Sequence, residues 1–299
     1  MCPLTLWASA STAVSASTGG TGAAAVALSL LFGMVVGVSL GLTGGGGSIF
    51  AVPLLVFGLA VRPREAVGIS LAAVGATALV GGLRRLARGE VEVRTGLLFA
   101  AVGMEGAPAG SWLGGRVPEG VLLVLFAALM LAVAVRMWVQ ASLRPEETRA
   151  VRAASHAQAG EGGPSCRRDP DGRLYLTSRC FAVLVVAGLA SGVLSGLFGV
   201  GGGFVIVPAL VLVTGMGIHR AVATSLLVIA LVSASGVASY VAAGRPLPLG
   251  LAGLFLAGGL AGMEAGTLLG RRLGGPGLQK LFASAMVAVA AFIVAKNFM

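Results

Sequence analysis

Charge is what this chain has least of. Only 11% of its 299 residues are Asp, Glu, Lys or Arg, against about 25% in a soluble domain. Histidine is nearly absent: His156 and His219 stand alone. Neither has a partner at ligand spacing, so no metal site is expected. The three scattered cysteines, Cys2, Cys166 and Cys180, make neither a disulfide framework nor a metal cluster. No His, Asp or Cys constellation of the kind a lipid-modifying enzyme uses at a membrane surface is present. An enzyme is therefore not expected, and no cofactor is implied. The net charge of +10 does not point to nucleic acid, because no basic stripe is interleaved with aromatics. Residues 1–22 have no basic n-region and no clean cleavage pattern, so they read as a flexible N-terminal tail rather than a signal peptide.

What the chain does have is apolar sequence. Hydrophobic residues make up 57% of it, with a mean hydropathy of +0.96. Runs of 18 or more apolar residues are long enough to cross a hydrocarbon core of about 30 Å. The fold class expected is an all-α polytopic membrane protein. Five apolar segments lie near 23–42, 48–61, 66–83, 95–114 and 119–139, and five more near 180–198, 203–217, 221–243, 247–270 and 278–298. Between them, 140–179 is charged and rich in Gly and Pro, a linker. The chain thus divides into a tail (1–22), a first transmembrane repeat (23–139), a linker (140–179) and a second repeat (180–299).

The repeat is visible residue by residue. Gly41-Leu-Thr-Gly-Gly-Gly-Gly-Ser-Ile-Phe-Ala-Val-Pro53 returns after 155 positions as Gly196-Leu-Phe-Gly-Val-Gly-Gly-Gly-Phe-Val-Ile-Val-Pro208. The same shift carries Ala66-Val67 onto Ala221-Val222 and Ser70-Leu71 onto Ser225-Leu226. With one residue inserted, Gly106, Gly110, Gly114 and Arg116 fall on Gly262, Gly266, Gly270 and Arg272. Each repeat has four or five crossings, eight to ten in total. If all ten segments cross, sixteen Lys and Arg collect on the linker side and five on the other; if the glycine segments are re-entrant, the split is fourteen to seven. Both counts place the linker in the cytoplasm.

The glycine runs are the first candidate site. Glycine costs about 1 kcal/mol per helical position and proline about 3, so Gly44, Gly45, Gly46 and Gly47 with Pro53, and Gly199, Gly201, Gly202 and Gly203 with Pro208, read as broken or re-entrant helices. Unwound backbone at membrane depth is tolerated where it lines a cavity, and free N–H groups before a helix N-terminus suit an anion. Thr43 and Ser48 add hydroxyls in the first half, where the second has Phe198 and Gly203. The competing reading is close helix packing through small residues. A dinucleotide loop is excluded, because no acid stands about 20 residues on.

Ser70 and Ser225, with Thr224 beside the latter, hold equivalent places in the third segments. Either they contribute to the site or they bond their own i−4 carbonyls. Thr77 and the serines from Ser233 to Ser239 are weaker candidates of the same kind. Glu105 and Glu264 lie in apolar fourth segments. A membrane acid is rarely idle, so proton coupling is expected of them, with a helix-end or structural role as the alternative. Arg116 and Arg272 read as snorkelling anchors.

With these motifs in place, the chain resembles the TauE/SafE sulfite-exporter family of permeases, over about 25–298 without the linker. The resemblance rests on the two glycine runs with their prolines, the Ala-Val-x-x-Ser-Leu pieces and the Gly-x3-Gly-x3-Gly-x-Arg helices. It implies secondary transport of small sulfur-containing anions such as sulfite, sulfoacetate or other organosulfonates, in the cell inner membrane and without an attached ATPase; no Walker motif is present. The partners expected are a small anion, the bilayer and, as an open alternative, a second copy of the chain. A passive anion channel and a non-transporting scaffold are the rival functions.

Overall fold

The computed structural model describes residues 21–143, 167–168, 174–175, 178–214, 216–270 and 276–298. The N-terminal tail up to residue 20 and most of the linker lie outside the described residues. The protein is built from helices. In the first half these are α1 (Thr21–Thr43), the short composite α2, α3 (Pro63–Ala87), α4 (Val93–Arg116) and α5 (Glu119–Leu143). In the second half they are α6 (Ser178–Phe198), α7 (Gly203–Thr214), α8 (Ile218–Ala242), α9 (Leu249–Gly270) and α10 (Pro276–Phe298). In the linker, a two-residue ladder pairs β1 (Arg167–Arg168) with β2 (Leu174–Tyr175). Among the described residues, five helices are long and apolar enough to cross a membrane: α1, α3, α6, α8 and α9. Shorter apolar stretches lie at 47–58, 119–135 and 283–296.

α2 is irregular for a local reason. It passes from a 3-10 turn (Gly46–Phe50) through one α turn (Ala51–Pro53) into a π turn (Leu54–Gly58). Pro53 lacks the N–H that would keep the α ladder in register. The prolines do not themselves break the chain: α2 runs on past Pro53, and α7 past Pro208. The interruptions lie at the glycines before them.

Small residues set the packing. α1 lies against α9 and α4 against α6, more extensively than any other pairs. On α1, a Cβ at Gly41 would stand 2.6 Å from Met263 O; on α4, one at Gly106 would stand 2.6 Å from Leu189 O. Gly37 with Gly259, and Gly110 with Val193, approach backbone to backbone in the same way. In lipid, association rests on such contact because the tails are as apolar as leucine. Numbering rises together along both pairs, so α1 runs parallel to α9 and α4 to α6. α3 and α8 cross at the centre and run antiparallel, with Tyr240 near the end of α8 donating to Arg64 O at the start of α3. The two sequence halves are therefore interleaved, each first helix resting on a helix of the other half.

The outward surfaces carry the lipid-facing residues, among them Leu31, Val35, Leu97, Trp112, Val186 and Leu268, all well exposed. Cys180, at the start of α6, is buried and disulfide-bonded.

Candidate functional site

The two glycine breaks are built alike. α1 ends at Thr43, and Gly44 turns left-handed at φ 73°; α6 ends at Phe198, and Gly199 does so at φ 72°. Each N–H bonds the carbonyl four residues back, Gly44 to Leu40 and Gly199 to Ser195, both at 2.8 Å. This is the left-handed cap that glycine alone adopts cheaply. The carbonyl of each capping glycine then receives a hydroxyl from the other half. Ser70 Oγ donates to Gly199 O at 2.6 Å, and Ser225 Oγ donates to Gly44 O at 2.7 Å. These are the same two positions exchanged under the 155-residue shift. The neighbours match too: Val67 Cα is 2.7 Å from a Cβ placed on Gly199, and Val222 Cβ is 2.8 Å from one on Gly44.

The breaks also meet each other. A Cβ on Gly203 would lie 2.5 Å from Gly45 Cα, and one on Gly45 would lie 2.7 Å from Gly203 Cα. No side chain fits between them. This contact sits against α3 and α8, with Val74 and Ile229 beside Gly201.

The donors that remain differ between the breaks. In the first, Thr43 Oγ1 donates to Ser39 O and accepts from Gly47 N, and Ser48 Oγ donates to Gly45 O. A hydroxyl has one hydrogen to give, so both expected donors are engaged by the local backbone. Ser70 and Ser225 are likewise committed to the cross-links between halves. In the second break, Gly201 and Gly202 are also left-handed, at φ 69° and 67°. Among the described residues, no backbone acceptor engages the buried amides of Val200, Gly201 and Gly202. Ser195 Oγ and Ser233 Oγ are buried there and have no hydrogen-bond partner. A buried donor left unpaired costs about 1–3 kcal/mol. Ser233 lies beside the break, its Oγ 3.4 Å from a Cβ placed on Gly201.

Ser191 and Ser195 are residues that motif reasoning did not single out. They stand one turn apart on α6, and Ser191 Oγ donates to Gly202 O at 3.3 Å. Under the shift they match Val36 and Leu40, so a comparison restricted to shared positions passes over them. The signal was in the difference between the halves.

The two acids are not brought to the breaks. Glu105 lies on the exposed face of α4. Glu264 is half-exposed on α9 and is ion-paired with Arg84 near the end of α3. Thr77 Oγ1 donates to Ala73 O, and Ser235 Oγ to Met104 O. Thr224 Oγ1 accepts from Glu92 N. Arg116 stacks on Trp112 with Cζ 3.5 Å from the ring centre, as a surface anchor does. Among the described residues, no group of His, Cys, Asp and Glu could hold a metal ion.

Long apolar helices, close glycine packing and two broken helices meeting in the core define a multi-pass membrane protein of the transporter class. Residues 28–293 match the family described as sulfite exporter TauE/SafE, and the chain belongs to that family. A "Probable membrane transporter protein" of Xylella fastidiosa (strain 9a5c) is 35% identical over 265 residues, 88% of this chain and 92% of that relative. The "Probable membrane transporter protein YunE" of Bacillus subtilis (strain 168) is 28% identical, over 72% of this chain and 78% of its own length. No solved structure matches. The protein is a membrane transporter.

Proposed function

We propose that the chain is a secondary carrier of small sulfur-containing oxyanions in the cell inner membrane, and that the anion binds at the second glycine break. The observation that carries this reading is the group of buried donors there: the hydroxyls of Ser195 and Ser233, which have no partner, and the amides of Val200, Gly201 and Gly202, which no backbone acceptor among the described residues engages. An oxyanion accepts several hydrogen bonds at once, and it needs donors rather than a counter-charge where water is absent. The sulfur class follows the family description.

Equivalent helices run in opposite directions, and the latches at Ser70 and Ser225 are reciprocal. Both support an inverted repeat with five passes in each half, in which the short α2 and α7 share their depth with the breaks. Because the halves interleave, the bodies that rock to give alternating access are better drawn as α1 with α9 against α4 with α6 than as the first half against the second. The excess of Arg and Lys supports a cytoplasmic linker. The disulfide at Cys180 favours an oxidising side. The charge count carries more weight, since it sums over every connection. Active alkaline phosphatase from a fusion within the linker would overturn it.

The test of the main reading is uptake of labelled sulfite into proteoliposomes of the purified protein, with and without a pH gradient. Saturable flux with counterflow supports the carrier, and linear flux without counterflow supports the channel. Flux of no anion at all from folded protein supports the scaffold. Proton coupling is assigned to Glu105 before Glu264, which is held by Arg84. An unchanged pH dependence in both Glu→Gln variants ends that assignment.

A further inference from the structure

A cationic cleft lies away from the breaks, at the end of the bundle opposite the linker. There the start of α3, the start of α5 and the α8–α9 connection enclose a cleft of about 260 Å³, lined by Arg62, Arg64, Glu65, Glu119, Tyr240 and Arg245. Three guanidinium groups face two carboxylates. The cleft is too small for a drug-sized ligand, which occupies about 300 Å³ or more, and suits a small anion.

Two of its arginines are held in place. Arg64 Nη2 donates to the carbonyl of Val117, the residue after α4, at 3.2 Å, and Arg245 Nη2 donates to Ser111 O within α4 at 3.4 Å. Arg245 lies with Cζ 5.4 Å from the centre of the Tyr240 ring, whose hydroxyl donates to Arg64 O. Arg245 passes directly over Gly115, where any side chain would collide with its guanidinium. These contacts leave donors over. Arg64 Nε is buried without a hydrogen-bond partner, and its only ion pair among the described residues is with Glu119 Oε1, at 3.8 Å. Arg62 is exposed and has no partner among the described residues.

The repeat makes the case sharper. The positions matching Arg62, Arg64 and Arg245 at the other end are Gly217, His219 and Glu90. The fold closes there without a guanidinium at any of these positions, so the cluster is not a requirement of the architecture. Topology does not ask for it either, since this is the end with fewer basic residues.

We propose that this cleft is a docking site for a small oxyanion, a sulfate or sulfonate group, which concentrates the anion at one mouth of the pathway. Guanidinium pairs match the planar edges of such groups and bind them in forks, and a cationic cleft with low-dielectric walls raises the local anion concentration. The role at the mouth rests on the transporter reading; the binding itself does not.

The test is phenylglyoxal labelling of arginines in the purified full-length protein, read by peptide mass spectrometry. Sulfate and sulfoacetate are the probes, with chloride at equal ionic strength as control; sulfite is avoided because it adds to the reagent. The expected result is at least about threefold slower labelling of Arg62 and Arg245, with Arg94 and Arg220 at the opposite end unchanged. Equal labelling with and without the anions overturns the site, whatever the flux. Protection without any flux keeps the site and overturns the carrier. In proteoliposomes, Arg62→Gln and Arg245→Gln are expected to raise KM from this side about threefold to tenfold at low salt with kcat kept, and to converge on the parent at high salt. The Arg62 side chain makes no hydrogen bond or ion pair among the described residues, so its variant remains informative if Arg245→Gln fails to fold.

Discussion

The two glycine breaks share a frame and differ in content. Both end a helix with a left-handed glycine, and both offer that glycine's carbonyl to a serine of the other half. Past that point they diverge. The first winds into a 3-10 turn and uses Thr43 and Ser48 to satisfy its own backbone. The second keeps two further left-handed glycines and a set of buried donors without partners. The latch is common to the two breaks, and the interior is not. One break is therefore read as the closed wall of the site and the other as its binding face.

That division can be broken by experiment. The largest effect is expected at the second break. Gly201→Leu and Gly202→Leu place a side chain on left-handed backbone, at about 1–2 kcal/mol each, and a Cβ on Gly202 would stand 2.6 Å from Ser191 Oγ. Flux should fall about tenfold or more while the protein stays folded by size exclusion; wild-type flux in either variant removes the second break from the site. The latches come next. Ser70→Ala and Ser225→Ala each strand a buried carbonyl, an expected loss of about 1–3 kcal/mol, read as similar drops in Tm. A drop in one variant alone would mean that the two breaks are not latched equivalently. Ser233→Ala removes a hydroxyl that bonds nothing, so its Tm should hold or rise slightly while KM for the anion increases about fivefold, the worth of about 1 kcal/mol. A lowered Tm with unchanged KM would make that serine structural. The smallest effect on transport belongs to the first break: Thr43→Val should lower Tm by removing the acceptor for Gly47 N and leave KM within about twofold, since a single neutral hydrogen bond is worth about 1 kcal/mol in stability. A KM change as large as that of Ser233→Ala would erase the distinction between the breaks.

The helices were legible because apolar length and glycine spacing are local signals. Their ends were less so. Apolar segments stop at the first charge, near 83, whereas α3 runs on to Ala87 through Arg84 and Arg85. Arginine is a good helix former, so the polar end of a membrane helix does not unwind where its hydropathy falls. The glycine site was legible as a place and not as a chemistry. Whether Thr43 and Ser48 point into a cavity or back to their own backbone depends on one rotamer each. The latch between Ser70 and Gly199 spans 129 positions, and the one between Ser225 and Gly44 spans 181; sequence gives the repeat that relates them but not their contact. The outward aspect of Glu105 was hidden because α4 is apolar or small on every face, leaving no polar stripe to orient it.

The interleaving of the halves has a consequence for how the chain is made. The glycine faces of α1 and α4 are complemented by α9 and α6, which follow the linker. When the first half has left the ribosome, its two closest-packing surfaces have nothing to close on. Both surfaces close only on helices that follow the linker, so a chain truncated after the linker would leave both open in the membrane. The two halves repeat one sequence pattern, but neither closes its own glycine faces.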